Sequence, residues 1–298
     1  MPRPDWYREW LERGRAADDR RIFFVVGCQK SGTTWVERLL DAHPQIACRG
    51  EGHLCDTLVR TFQQAASAYN GAQRDGSRTA DDLLLTDRDL QGVVRMLCDQ
   101  VLARYLDADP AGANVRAVGD RTPEHANTIP VLRHLYPDAS FIHVIRDGRD
   151  GAVSGWAHLE RRGQADRFAS FADYATVYAR DYWRAYILAA RSAAGACAGY
   201  VEVRYEDLHT APIASVRTML AMLGMTQDDA TCRACVAAAS FERLSRGRSR
   251  GEEDRASHFR KGVVGDWRTT FDDAAERAFE AEAGDLLRAL GYTASPVT

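Results

Sequence analysis

The span RIFFVVGCQKSGTTWVERLL, residues 21–40, holds three signals in succession. Arg21–Val26, apolar without a break from Ile22 onward, reads as a strand. It passes straight into GCQKSGTT, Gly27–Thr34, and a helix follows from about Thr33. Trp35, Val36, Leu39 and Leu40 share one face of that helix until His43-Pro44 ends it. A glycine-rich turn between strand and helix aims backbone N–H groups and the helix dipole at one point, and that point holds phosphate.

The loop departs from the triphosphate pattern G-x-x-x-x-G-K-[ST], whose lysine directly follows the second glycine. Thr33 takes that position here, and the lysine sits three places earlier, at Lys30. The reach to β- and γ-phosphates is lost with it. A strand-end aspartate for magnesium is also missing, since Asp147 in FIHVIRD is preceded by Arg146. One cation inside the loop suits a ligand with a single phosphate carrying a short reactive group.

Further strands are read at Phe141–Ile145 and Val201–Tyr205, with a weaker one at Val115–Val118. Residues 54–110 and 156–198 and the tail from Phe271 carry helical spacing. The alternation predicts an α/β fold with a parallel sheet. With no repeat and no proline- or glycine-rich linker, a single domain over residues 1–298 is expected. A net charge of −3 argues against a general polyanion binder, so no nucleic-acid partner is expected. The seven cysteines form no disulfide framework, and the lone Cys232-x-x-Cys235 lacks the second pair that zinc would want. The N-terminus MPRPDWYREW is too charged for a signal peptide, and no apolar run approaches the ~20 residues of a membrane span. A reducing, cytoplasmic setting is expected.

Gln29-Lys30-Ser31-Gly32-Thr33-Thr34-Trp35 closely resembles the 5′-phosphosulfate loop of sulfotransferases that use 3′-phosphoadenosine 5′-phosphosulfate (PAPS) and release 3′-phosphoadenosine 5′-phosphate (PAP). Glutamine replaces the proline usual there. FIHVIRDGRDGAVSGW, Phe141–Trp156, resembles that family's 3′-phosphate segment, which implies Arg146 and Ser154 as ligands. FRKGVVGDWRTTF resembles the R-K-G-x-x-G-D-W element, which implies Arg260, Lys261 and Gly262 on the same phosphate. By the same resemblance Trp35 and Phe241 cover the adenine faces, and Tyr205 lies near its amino group. The matches span residues 22–51, 117–154, 201–208 and 239–271, and imply a three-layer P-loop-like fold with a central sheet flanked by helices. The charged, aperiodic stretch Ser245–His258 directly precedes the third element and is expected to be a mobile lid.

Transfer to a hydroxyl calls for a general base. HPQIACRGEGHLCD resembles the stretch of tyrosylprotein and heparan sulfate sulfotransferases in which a glutamate takes the acceptor proton, and this nominates Glu51, beside His53. GDRTPEHANTIP, Gly119–Pro130, stands where cytosolic relatives carry K-T-H. Arg121 replaces the lysine, as a second cation on the sulfuryl oxygens, and Pro123 stands where the histidine would be. His125 follows two places late, as the reserve base.

The expectation is a metal-free sulfotransferase moving a sulfuryl group in line from PAPS to a hydroxyl-bearing acceptor. The main alternative is a P-loop metabolite kinase using ATP and magnesium. A non-catalytic nucleotide-binding relative is the third reading. Residues 52–116 and 156–200 are expected to form the acceptor pocket. A small alcohol, phenol, sugar or lipid headgroup all stay open, as does the oligomeric state, since RTTFDDAAER departs from the dimer element of cytosolic relatives.

Overall fold

The computed structural model describes residues 4–75, 84–109 and 112–292. The parts of the helical expectation at 76–83 and 110 lie outside them. Five parallel strands form one sheet: β1 Arg21–Gly27, β2 Ile46–Gly50, β3 Ala117–Arg121, β4 Ser140–Ile145 and β5 Gly199–Arg204, in the order β2-β3-β1-β4-β5. All but the first residue of β1, and all of β4, are buried, because helices cover both faces of the sheet. Their alternate side chains feed two cores. Phe24, Val26 and Phe141 point into one, with Trp183, Ile187 and Phe279. Phe23, Val25 and Ile142 point into the other, with Val36, Leu39, Met219 and Leu220.

β2 is the strand that sequence reasoning missed. It is short and sits at the sheet edge, and its apolar content stops at Cys48. β3 begins two residues later than expected and runs through Gly119-Asp120-Arg121. Glycine and aspartate disfavour strands, but here they lie between two neighbours, and Asp120 is fully buried. β5 ends at Arg204, one residue short of the expected Val201–Tyr205, and Tyr205 opens the helix Tyr205–Thr210. The tail forms the helix Asp273–Ala289. Cys232 and Cys235 lie buried as free thiols in Asp229–Ala238. Among the described residues no helix is long and apolar enough to cross a membrane.

The chain leaves β1 toward β2 on one side and leaves β4 toward β5 on the other. Between their carboxyl ends the crossovers diverge, which is where open α/β sheets bind ligands. Gly27 ends one strand there and Arg146 follows the other.

Candidate active site

A cavity of about 410 Å³ opens at these strand ends. Lys30, Gly32, Thr33, Thr34 and Trp35 line it from the first loop, and Arg146 and Ser154 from β4 and the helix Gly148–Arg161. Tyr205, Phe241, Arg260, Lys261 and Gly262 complete that side. Ser31 is buried just behind the lining, and its hydroxyl has no partner.

The loop turns back on itself through left-handed backbone at Lys30 (φ 69°) and Gly32 (φ 102°). Lys30 holds a conformation uncommon outside glycine. Gly32 is required twice, because a Cβ there would also stand 2.5 Å from the Tyr205 ring. The helix Thr33–Asp41 starts at this point with no side chain capping its first N–H groups.

Arg146 is buried, with its guanidinium 4.2 Å above the Tyr205 ring. It donates to the Lys30 carbonyl at 3.2 Å and to the Val263 carbonyl at 3.1 Å, while its Nε has no partner. A buried donor left unpaired is costly, and this one lies in the wall of a cavity lined by cations. Asp147 does not pair with Arg146. It binds Arg149 instead, at 2.8 Å, and Asp150 lies 3.6 Å from Arg146. Asp150 accepts from the N–H groups of Gly265 and Trp267 at 2.7 and 3.0 Å, which ties the Arg260–Gly262 element to the helix bearing Ser154. Arg260 bonds Glu253 and Asp266, and Lys261 lies 2.5 Å from the same aspartate.

Trp35 is held by its indole N–H on the Ala239 carbonyl at 2.9 Å, edge-on to Tyr205. From the 245–258 stretch, Arg250 stands 5.0 Å from the Trp35 ring, and His258 Nε2 lies 3.1 Å from the Thr34 hydroxyl.

Across the cavity, Glu51 and Arg121 are in direct contact, and the other side of Arg121 donates to Glu37 at 2.7 Å. His53 Nε2 lies 3.6 Å from Glu51, and its Nδ1 is bound to Asp56 at 2.7 Å. His125 lies elsewhere. Its ring is fully buried, edge-on to Phe24, with Nε2 accepting from the Cys55 N–H at 3.4 Å and Nδ1 3.4 Å from Asp120. Pro123 and Glu124 reach the cavity, but the short helical turn Pro123–Asn127 carries His125 inward. The reserve-base reading of His125 is therefore dropped: a core histidine does not meet an acceptor.

The pattern of the sulfotransferase family matches residues 23–229. The chain belongs to the sulfotransferase family. Among curated relatives, protein-tyrosine sulfotransferase 1 of Danio rerio is 25% identical over 214 residues, covering 71% of this chain and 55% of its own. Protein-tyrosine sulfotransferase 2 of Gallus gallus is 26% identical over 135 residues, covering 45% of this chain and 33% of its own. The chain thus spans between a third and about half of the length of those relatives. In architecture it is similar to a mouse sulfotransferase complexed with PAP (TM-score 0.58, 19% identity, 94% of this chain and 89% of the other). It is similar also to the sulfotransferase domain of a Synechococcus olefin synthase (TM-score 0.55, 19% identity, 93% and 97%).

Several residues lining the cavity escaped sequence reasoning. His158 and Arg161 lie four and seven residues beyond Ser154 on the same helix, a spacing that would have predicted their shared face. Arg162 joins them at the helix end. Of the two stretches expected around an acceptor, only Ala157, His158, Arg161 and Arg162 line the cavity, and no described residue of 52–116 does. Burial, then the charge of Arg161, pulls the Lys30 ammonium down to about 8. Burial and the nearby charges of Lys30 and Arg161 hold His158 at about 4, so it is neutral at pH 7.

Proposed function

We propose that the protein transfers a sulfuryl group from PAPS to a hydroxyl of an acceptor. The observation that carries this reading is the meeting, in one cavity, of the Lys30 loop with Arg146, Ser154, Arg260 and Lys261 from distant parts of the chain. An adenosine bearing a 3′-phosphate asks for two separated anion sites. The unpaired Arg146 Nε and the uncapped N–H groups after Gly32 fit that demand. Arg146, Ser154, Arg260, Lys261 and the Gly262 N–H grip the 3′-phosphate. Ser31, Gly32, Thr33 and Thr34 hold the 5′-phosphate, and Trp35, Tyr205 and Phe241 enclose the adenine. Residues 245–258 act as the lid of a single functional unit, and the His258 to Thr34 contact supports that role.

PAPS supplies the sulfuryl group. Glu51 takes the acceptor hydroxyl proton as that oxygen bonds to sulfur, and the S–O bond to the 5′-phosphate breaks. The departing oxygen keeps the electron pair, and the Lys30 ammonium stabilises it. The transferred unit is formally neutral SO₃, so this chemistry asks for no metal. The Arg121–Glu51 contact keeps the base beside the site, and Arg121, which also lines the cavity, is the second cation for the sulfuryl oxygens.

PAP tests the reading without an acceptor. At 100 times its dissociation constant, a ligand that binds only the folded state adds about 2.7 kcal/mol of stability. A rise in thermal midpoint with PAP, and none with ATP and magnesium, is expected. The reverse result selects the kinase.

Lys30 sets a pH limit. Its ammonium is charged below about pH 8 and is lost as pH rises through that value. In the free enzyme kcat/KM for PAPS therefore falls above about pH 8. In Lys30→Arg that fall disappears, because a guanidinium stays charged. An unchanged alkaline limb in the arginine variant contradicts the assignment.

A further inference from the structure

Arg121 stands between two carboxylates of unlike surroundings. Glu37 comes from the helix behind the phosphate loop, is 2% exposed and lies outside the cavity lining. Glu51 follows the edge strand β2 and faces the cavity, with its side chain 42% exposed. Gly50 makes the arrangement possible. A Cβ there would lie 2.4 Å from a terminal nitrogen of Arg121, so the guanidinium rests against the backbone that leads into Glu51. It is fixed from three directions. Burial alone would lower the Arg121 pKa, but Glu37 and Glu51 outweigh it and raise it, so the cation persists.

The charges of the three groups constrain the chemistry. Glu37, Arg121 and Glu51 together carry one net negative charge. When Glu51 accepts a proton, its hold on Arg121 weakens. With Glu37 absent, protonation would strand a guanidinium that is only 11% exposed, and an unpaired buried charge is costly. With Glu37 present, Arg121 keeps a partner through the whole cycle.

We propose that Glu37 is a positioning residue for the transfer. It holds Arg121 against Glu51 and supplies the counter-charge that lets Glu51 take up and release the acceptor proton. The inference rests on Glu51 as the base of the sulfotransferase reading. Glu51 is also faced by His53 at 3.6 Å and lies within electrostatic reach of Lys30 and His258, while Glu124 acts on Lys30 and His53. Glu37 itself neighbours Arg38 at 3.6 Å, and its charge reaches Asp41, Cys48 and Tyr105. Among these groups, Arg121 is the one that touches both carboxylates.

The test is a titration of the full chain with glutamate labelled by carbon-13 at the side-chain carboxyl. The Glu51 resonance is assigned by its loss in Glu51→Gln. In Glu37→Gln, and in Glu37→Leu, which fills the space without a polar group, Glu51 is expected to titrate at lower pH than in the wild type. Undivided, the Arg121 charge then favours ionised Glu51. Once a turned-over acceptor is in hand, kcat falls roughly tenfold, since a weaker base forfeits part of its catalytic gain, and Glu37→Asp recovers most of it. A Glu51 midpoint that stays put or rises in both neutral variants overturns the proposal, even if kcat falls, because a merely structural role would do that too. PAP stabilisation is expected to persist in both variants. Its failure in the wild type would count against the nucleotide reading and not against the charge balance.

Discussion

Lys30→Met is expected to lower kcat by about 10²–10³-fold, the cost of removing one preorganised donor from a developing oxyanion. The relocated lysine is the cation of the loop itself, and the left-handed backbone at Lys30 (φ 69°) turns it into the cavity. A non-glycine residue in that region carries strain that persists where the surroundings over-determine it. The gain comes late in the reaction, when negative charge gathers on the oxygen leaving sulfur. The substitution should therefore strike kcat much harder than PAP binding. Single-turnover transfer from labelled PAPS, beside PAP titration of the same variant, separates the two. A loss below tenfold, or a loss confined to PAP affinity, removes Lys30 from the transition state.

Glu51→Gln is expected to cost about 10²–10⁴-fold in kcat, the usual worth of a general base, with KM for PAPS little changed. Glutamine keeps the shape and an acceptor for Arg121 but takes up no proton. The contrasting substitution is His125→Ala. That ring is fully buried and accepts from the Cys55 N–H, so its removal leaves a buried donor unpaired, a loss of about 1–3 kcal/mol. Its effect belongs in the thermal midpoint, with kcat per folded molecule within a few-fold of wild type. If Glu51→Gln keeps its rate while His125→Ala loses it, the two roles are exchanged.

The half of the cavity around Lys30 was legible because short, local backbone geometry writes it. The Lys30 loop needs glycine at Gly32, a strand before it and a helix after it, and all three lie within residues 21–40. Arg146 and the Arg260–Gly262 element were legible by their own motifs. Their meeting depends on Asp150 holding the N–H groups of Gly265 and Trp267, a bond between distant segments that no periodicity announces. The half of the cavity around Glu51 was less legible for a related reason. The edge strand β2, whose end places Glu51, has too few apolar residues to stand out, and β3 runs through Gly119-Asp120-Arg121 because burial between neighbours overrides propensity. The clamp of Glu37 on Arg121 joins a helix to a strand 84 positions away in sequence, so spacing alone could not reveal it. His125 misled because spacing along the chain says nothing about the inward turn after Pro123.

The central claim is that this cavity recognises a nucleotide by an extra phosphate on its ribose. Calorimetric titration with PAP and with adenosine 5′-phosphate, which differ only by that group, tests it directly. Each charge-assisted hydrogen bond contributes about 1.5–3 kcal/mol, so Arg146 and one further cation predict PAP binding at least about 100-fold tighter. In Arg146→Gln most of that gap should close. Equal affinities for the two nucleotides in the wild type would contradict the account.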